Sequence, residues 1–189
     1  LPNLLLTHGC IYIAASVEAP GVLAQQGDIF RIVYGVRDRK DDCPVLHQIA
    51  EDLKTAGITP VLTDHVRRDT LKKYAYTSPM ASAGLYFDAD AAAFQKPGEP
   101  RECFCALMRE IAALAKAMGA EFDIDIVKTN LSILDALTPD ASTSMQRDIR
   151  AGKSSEMDGL IFTPVRLGRK YGVPTPTYEK IAKHFGFSE

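Results

Sequence analysis

The 189-residue chain has no long run of lysine or arginine, and its formal charge is only −2. That balance argues against a surface for nucleic acid or an anionic membrane. No apolar run approaches the roughly 20 residues a membrane span requires. The longest, "GCIYIAASV", is far too short. Cysteine is sparse, at positions 10, 43, 103 and 105, with no C-x-x-C pair. Cys103 and Cys105 sit two apart on an expected helix and point to different faces, so they make neither a redox motif nor half a zinc site. Reduced, packing thiols in a cytoplasmic protein are the expectation. His8, His47, His65 and His184 form no H-x-x-x-H or H-E-x-x-H arrangement, and no metal is expected. A G-x-G-x-x-G turn, the cradle for a dinucleotide pyrophosphate, is absent. No charged segment precedes an apolar one at the start, and no signal peptide is expected. Leu1 leads almost directly into a strand-like segment, which suggests a piece of a longer protein.

What is present divides in two. Hydrophobic residues make up 46% of the chain, enough for one sizeable core. Residues 1–38 read as β: "CIYIAASV", a turn at "EAPG", then "VLAQQ" and "IFRIVYGV" separated by Gly27-Asp28, a hairpin signal. From "DRKDD" onward the texture is helical. Asp42 is placed to cap a helix with Pro44 in its first turn and Gly57 at its end. "ITPVLTD" adds one short strand. Helices follow over "VRRDTLKKYAYTSPMASAGLYF", kinked by Pro79, and over "PRECFCALMREIAALAKAMGA". The latter carries a stripe of Phe104, Leu107, Met108, Ile111, Leu114, Ala115 and Met118. "IDIVKTNLSILDAL", "EMDGLIFTPVRLGRKYG" and "TPTYEKIAKHFGF" complete the set, the last with Thr175 as N-cap and Pro176 at N1. The expected class is mainly α: a helical domain over residues 39–189 preceded by a few strands over 1–38.

Two places could hold chemistry. The polar stretch "STSMQRDIRAGKSSEMD" sets Ser144 and Glu156 around basic side chains. Local roles account for it as it stands. Ser154 or Ser155 would cap a helix starting near Glu156, Ser155-x-x-Asp158 and Thr143-x-x-Gln146 fit capping boxes, and the helix dipole favours a carboxylate there. The second place is Lys73, followed by Tyr74, Tyr76, Thr77, Ser78 and Ser82, a surface suited to a small polar ligand. A lysine partly buried there could act as a general acid.

In order and spacing these pieces resemble the C-terminal part of the ketopantoate reductase (2-dehydropantoate 2-reductase) family. "IYIAASVEAPGVLAQQGDIFRIVYG" resembles its closing strands with their E-x-P-G turn. "LKTAGITPVLTDHVRRDTLKKYAYTSP" resembles its "aG-I…D-I…W-x-K" run, with Leu71 in place of tryptophan and Lys73 on the lysine. "TSMQRDIRAGKSSEMD" resembles "S-S-M-x-x-D-x-x-x-x-R/K-x-T-E-I-D", matched by Ser144, Met145, Asp148, Glu156 and Asp158. "YGVPTPTYEKI" resembles the terminal "G-V-x-T-P" run.

The resemblance implies a helical domain similar to the C-terminal domain of 6-phosphogluconate dehydrogenase. Residues 1–38 would be the last strands of an otherwise absent Rossmann domain that binds NADPH. It implies NADPH-dependent reduction of ketopantoate or a similar small-molecule 2-keto acid, on the route to pantothenate. Lys73 would be the general acid, Glu156 would contact substrate or orient the lysine, and Ser144 would bind the substrate carboxylate. Family members follow the lysine with asparagines four and eight residues later, where this chain has Thr77 and Ala81. Thr77 keeps one hydrogen bond to substrate and Ala81 keeps none, which favours a different 2-keto acid. The isolated chain is expected to fold without turnover or tight NADPH binding. Its exposed strand edge invites pairing, and a homodimer is a possible partner. The rival readings are a helical dimerisation or ligand-binding module without catalysis, and a 3-hydroxy acid dehydrogenase of the same two-domain plan. A G-x-G-x-x-G between strand and helix upstream of Leu1 would favour the enzyme. An asparagine beside the lysine would favour the hydroxy acid dehydrogenase.

Overall fold

The computed structural model describes residues 5–37 and 43–188 and divides into two compact units, Leu1–Thr70 and Leu71–Glu189. In the first, strands β1 (Thr7–Ala19) and β2 (Val22–Val36) form a long antiparallel hairpin that turns at Pro20 and Gly21. Helix α1 (Pro44–Thr55) then crosses to β3 (Thr59–Leu62), which pairs with β2 in parallel, Val33 opposite Val61. The sheet order is β1-β2-β3. A parallel pair needs such a crossover, and α1 supplies it. Tyr34, Val36 and Leu46 form the unit's small buried cluster, where the Tyr34 hydroxyl donates to the Leu46 carbonyl at 2.7 Å. Apolar side chains near the hairpin turn, including Val17 and Leu23, are exposed.

Two expectations change here. Gly27-Asp28 is not a hairpin turn, because β2 runs through it as one strand. Between the pairs Ile13–Phe30 and Ala15–Gln25 the register breaks, and Gly27 takes a φ of +70°. This is a bulge, where the extra residues leave the ladder without ending it. The Asp42 cap lies outside the described residues. Cys43 occupies the N-cap of α1 without a side-chain bond, and Pro44 begins the helix as expected.

The second unit is helical: α2 (Val66–Tyr86, beginning in the first unit), α3 (Ala91–Phe94), α4 (Glu99–Ala117), α5 (Ile126–Asp135), α6 (Ser144–Arg150), α7 (Thr163–Tyr171) and α8 (Pro176–His184). α4 packs against α3, α5, α7 and α8, so it is the central helix. Its expected stripe is buried from Phe104 through Ala115, and only Met118, at the C-cap, is half-buried. Tyr178 and Ile181 of α8 and Val165 of α7 close the core around it. No helix among the described residues is long and apolar enough to cross a membrane.

Candidate active site

The segment "EMDGLIFTPVRLGRKYG" is not one regular helix. Residues Asp158–Phe162 form a π-helical turn, and α7 starts at Thr163 with Pro164 in its first turn. The proline explains the change. In an α-helix the amide of residue 164 would serve the Leu160 carbonyl, and in a π-turn it would serve Gly159. Pro164 has no N–H, and with the Thr163 amide on the Asp158 carbonyl the acceptor left without that donor is Gly159.

Helix α2 supplies donors to both carbonyls. The Tyr74 hydroxyl donates to the Gly159 carbonyl at 2.6 Å, and Ser78 Oγ donates to the Leu160 carbonyl at 2.6 Å. Ser82 Oγ reaches the same Leu160 oxygen at 3.2 Å. These three residues recur at every fourth position, so they lie in one row along α2. Ser78 and Tyr178 also share a 2.6 Å contact. Because the one Ser78 hydrogen goes to a carbonyl that can only accept, Tyr178 is the donor in that pair. Ser78 and Ser82 are fully buried. The hydroxyl row therefore serves the fold and is not the open ligand surface expected from sequence. Burial raises the Tyr74 hydroxyl from its ordinary 10.0 to about 12, and it raises fully buried Tyr178 further.

The candidate residues sit one position away from this row. Lys73 precedes Tyr74 and Thr77 precedes Ser78, so both lie on the neighbouring face of α2, and both are half-buried. Lys72, the other member of the lysine pair, meets Asp123 at 2.7 Å. Ala81 is fully buried, so the position eight residues after Lys73 is part of the core.

Pro79 lies inside α2 and removes the amide that would serve the Ala75 carbonyl. The helix continues, and buried Asn130 of α5 donates to Ala75 O at 3.0 Å in its place. The sequence reading passed over Asn130. A lone asparagine on the apolar face of "IDIVKTNLSILDAL", read together with Pro79, is the signal that could have found it.

Glu156 is exposed and lies two residues before the π-turn; its carbonyl accepts the Leu160 amide at 2.9 Å. No side chain caps this start. The expected Ser155–Asp158 capping box is not made, because Asp158 accepts a two-pronged bond from Arg166 at 3.0 and 2.9 Å. The other box does form: Thr143 accepts from the Gln146 amide while the Gln146 side chain accepts from the Thr143 amide. Ser144 is the exposed first residue of α6. That helix meets α2 at Gly84, where a Cβ would come within 2.7 Å of the Gln146 side chain. Gly84 is three turns beyond Lys73, roughly 16 Å along the axis. The segment after Glu156 is thus bonded to the stretch of α2 that carries Lys73 and Thr77, while α6, with Ser144, docks nearer the helix's far end.

α8 shows a further repair. Thr175 is at the N-cap and Pro176 follows, as expected, but the Thr175 side chain makes no cap bond, and its buried hydroxyl has no partner. The Glu110 carboxyl from α4 instead accepts the Thr177 and Tyr178 amides at 2.8 and 3.1 Å.

Among the described residues no group of three or more His, Cys, Asp or Glu could hold a metal. Nor does the described β3-to-α2 turn fit a dinucleotide. Thr63, Asp64 and His65 lack the glycines a pyrophosphate needs, and Asp64 adds a like charge.

Comparison with known proteins agrees with this architecture. The 2-dehydropantoate 2-reductase of Mesorhizobium japonicum is 24% identical over 90% of this chain and 51% of its own length. The chain spans about half the length of the curated relatives it matches. The 2-dehydropantoate 2-reductase structure from Methylococcus capsulatus superposes with a TM-score of 0.85 at 23% identity, over 97% of this chain and 58% of that one. A D-mandelate dehydrogenase structure, a ternary complex with NADH and anilino(oxo)acetate, superposes at 0.81 with 22% identity, over 94% and 57%. These two likenesses show the fold. The family model described as "Ketopantoate reductase PanE/ApbA C terminal" matches residues 65–188, and this chain belongs to that family.

Proposed function

We propose that the full-length protein is an NADPH-dependent reductase of ketopantoate or a similar 2-keto acid, and that this chain supplies its substrate-binding and proton-donating half. Residues 1–38 then close the nucleotide-binding domain, and residues 39–189 form the catalytic one. The observation that carries the reading is the bonding of α2 to the segment after Glu156. It bonds Tyr74 and Ser78, the successors of Lys73 and Thr77, to Gly159 and Leu160, which follow a run that resembles the family's motif. The curated relatives carry the reductase name.

The step these residues carry is the proton's. As the keto carbon is reduced, negative charge grows on its oxygen. The Lys73 ammonium stabilises that charge and delivers the proton, while Glu156 orients the lysine or the substrate. Ser144 and Thr77 hydrogen-bond substrate, Ser144 at its carboxylate. With Ala81 buried, no second polar contact comes from that position, which favours a 2-keto acid with fewer polar groups than a two-amide site would hold. The hydride is the nicotinamide's contribution, and binding of that cofactor falls to residues outside this chain.

The test is Lys73→Ala in the full-length protein. General acid catalysis contributes about 10²–10⁴, so kcat for 2-keto acid reduction should fall by at least about 100-fold while the fold persists. A kcat within twofold of wild type would remove Lys73 from the chemistry.

A further inference from the structure

The π-turn and the lysine helix form one mechanical unit. Pro164 removes one backbone donor beside the π-turn, and hydroxyls of Tyr74 and Ser78 bond the Gly159 and Leu160 carbonyls at 2.6 Å each. Each hydroxyl-bearing residue is the immediate successor of a candidate site residue, Lys73 before Tyr74 and Thr77 before Ser78. The carbonyls they hold belong to residues three and four positions after Glu156. A π-turn contains one more residue per turn than an α-helix, so keeping or losing it changes the rotation of everything before it, Glu156 included. Of the two hydroxyls on the Leu160 carbonyl, Ser78 is the closer, at 2.6 Å against 3.2 Å from Ser82. It is fully buried, its donor is committed to Leu160, and Tyr178 completes its shell.

We propose that Ser78 is a positioning residue for the reaction, holding the π-turn in the register that presents Glu156 to Lys73 and Thr77. This rests on the functional reading above. Ser78 touches no substrate. It acts through the Leu160 carbonyl, and Tyr74 at Gly159 is its partner one turn earlier. Tyr178 is different, because it donates to Ser78 without touching either carbonyl. Its loss weakens packing and leaves the Ser78-to-Leu160 bond in place.

The experiment compares Ser78→Ala with Tyr178→Phe in the full-length protein, each first shown to be folded by its thermal transition. A small misplacement of catalytic groups can cost about 10²-fold. Ser78→Ala should therefore lower kcat at least about tenfold with KM moved less than threefold. Tyr178→Phe should lower Tm with kcat within twofold of wild type. A purely structural role predicts that both variants lose stability and neither loses kcat, and that result would overturn the proposal. So would equal losses of kcat in both.

A second readout does not depend on activity. A nitroxide is placed at Glu156→Cys in a background without the native cysteines, and relaxation of the Lys73 amide signal is measured. Ser78→Ala should change that relaxation and Tyr178→Phe should not. If the wild-type protein reduces no 2-keto acid, the functional reading fails, and this spacing alone decides whether Ser78 sets the register. Unchanged relaxation in Ser78→Ala sinks the proposal in either case.

Discussion

Helices α2 and α7 each carry a proline near a candidate site stretch, and the two regions answer the same loss in different ways. At Pro79 one buried amide, Asn130, donates to the Ala75 carbonyl, and α2 continues as an α-helix from Val66 to Tyr86. At Pro164 the backbone widens into a π-turn, and three hydroxyls of α2 converge on two carbonyls. The cost avoided is of the same kind at the buried Ala75 and Leu160, whereas Gly159 is exposed. A buried carbonyl without a donor costs about 1–3 kcal/mol. What differs is the donor at hand. A single well-placed amide leaves the helix unchanged, while a row of hydroxyls on a neighbouring helix accommodates a π-turn. Helix irregularity beside the candidate site is therefore a product of its neighbours as much as of its own proline.

The largest test of this contrast is Asn130→Ala. It leaves the Ala75 carbonyl unpaired and opens a small void, and denaturant unfolding should show a loss of about 3 kcal/mol. In a Pro79→Ala background residue 79 brings its own N–H, and the same change should cost at least about 1 kcal/mol less. Equal costs in both backgrounds would show that Asn130 does not act through the proline.

On the Pro164 side, the tyrosine titration offers the next largest effect. Burial raises the Tyr74 hydroxyl from 10.0 to about 12. The folded state favours the neutral phenol, so its contribution is full below pH 10 and is lost as the pH rises through about 12. A two-unit shift corresponds to about 3 kcal/mol. Alkaline stability curves of wild type and Tyr74→Phe should differ by a constant below pH 10, set by the lost bond to Gly159, and the variant should lose less stability above it. Curves that stay parallel above pH 10 would contradict the burial of Tyr74 against the π-turn.

Glu110→Ala extends the comparison to a third orphaned end. It removes the acceptor for the first amides of α8 and should lower stability by about 1–2 kcal/mol, whereas Thr175→Val should cost far less. The reverse ranking would restore Thr175 as the cap. The smallest effect belongs to Ser155→Ala. With no capping bond at this start, its stability should stay within about 0.5 kcal/mol of wild type. A loss near 1 kcal/mol would mean that Ser155 caps the turn after all.

Features that depend on a few neighbouring residues were legible in the chain itself. The α4 stripe from Phe104 to Ala115, the turn at Pro20–Gly21 and the Thr143–Gln146 capping box all follow from local spacing. Lys73, Thr77, Ser144 and Glu156 came from motif resemblance, and only Thr77 and Lys73 share an element, one turn apart on α2. The misreadings have a common cause. Gly27-Asp28 has the chemistry of a turn, but β1 keeps pairing beyond it, so it became a bulge. Ser78 and Ser82 are polar enough for a ligand surface, but packing turned them inward. Thr175 occupies a cap position, but Glu110 reaches the amides first.

The sequence alone determined where backbone donors are missing, because a proline removes its own N–H wherever it stands. It also determined which stretches bury a face, because helical periodicity is a local property. Only the tertiary structure decided who replaces those donors. Asn130 lies 55 residues from Ala75, and Tyr74 lies 85 from Gly159. A buried carbonyl's need is set locally, but the partner that meets it is whatever side chain the packing of distant helices brings within about 3 Å.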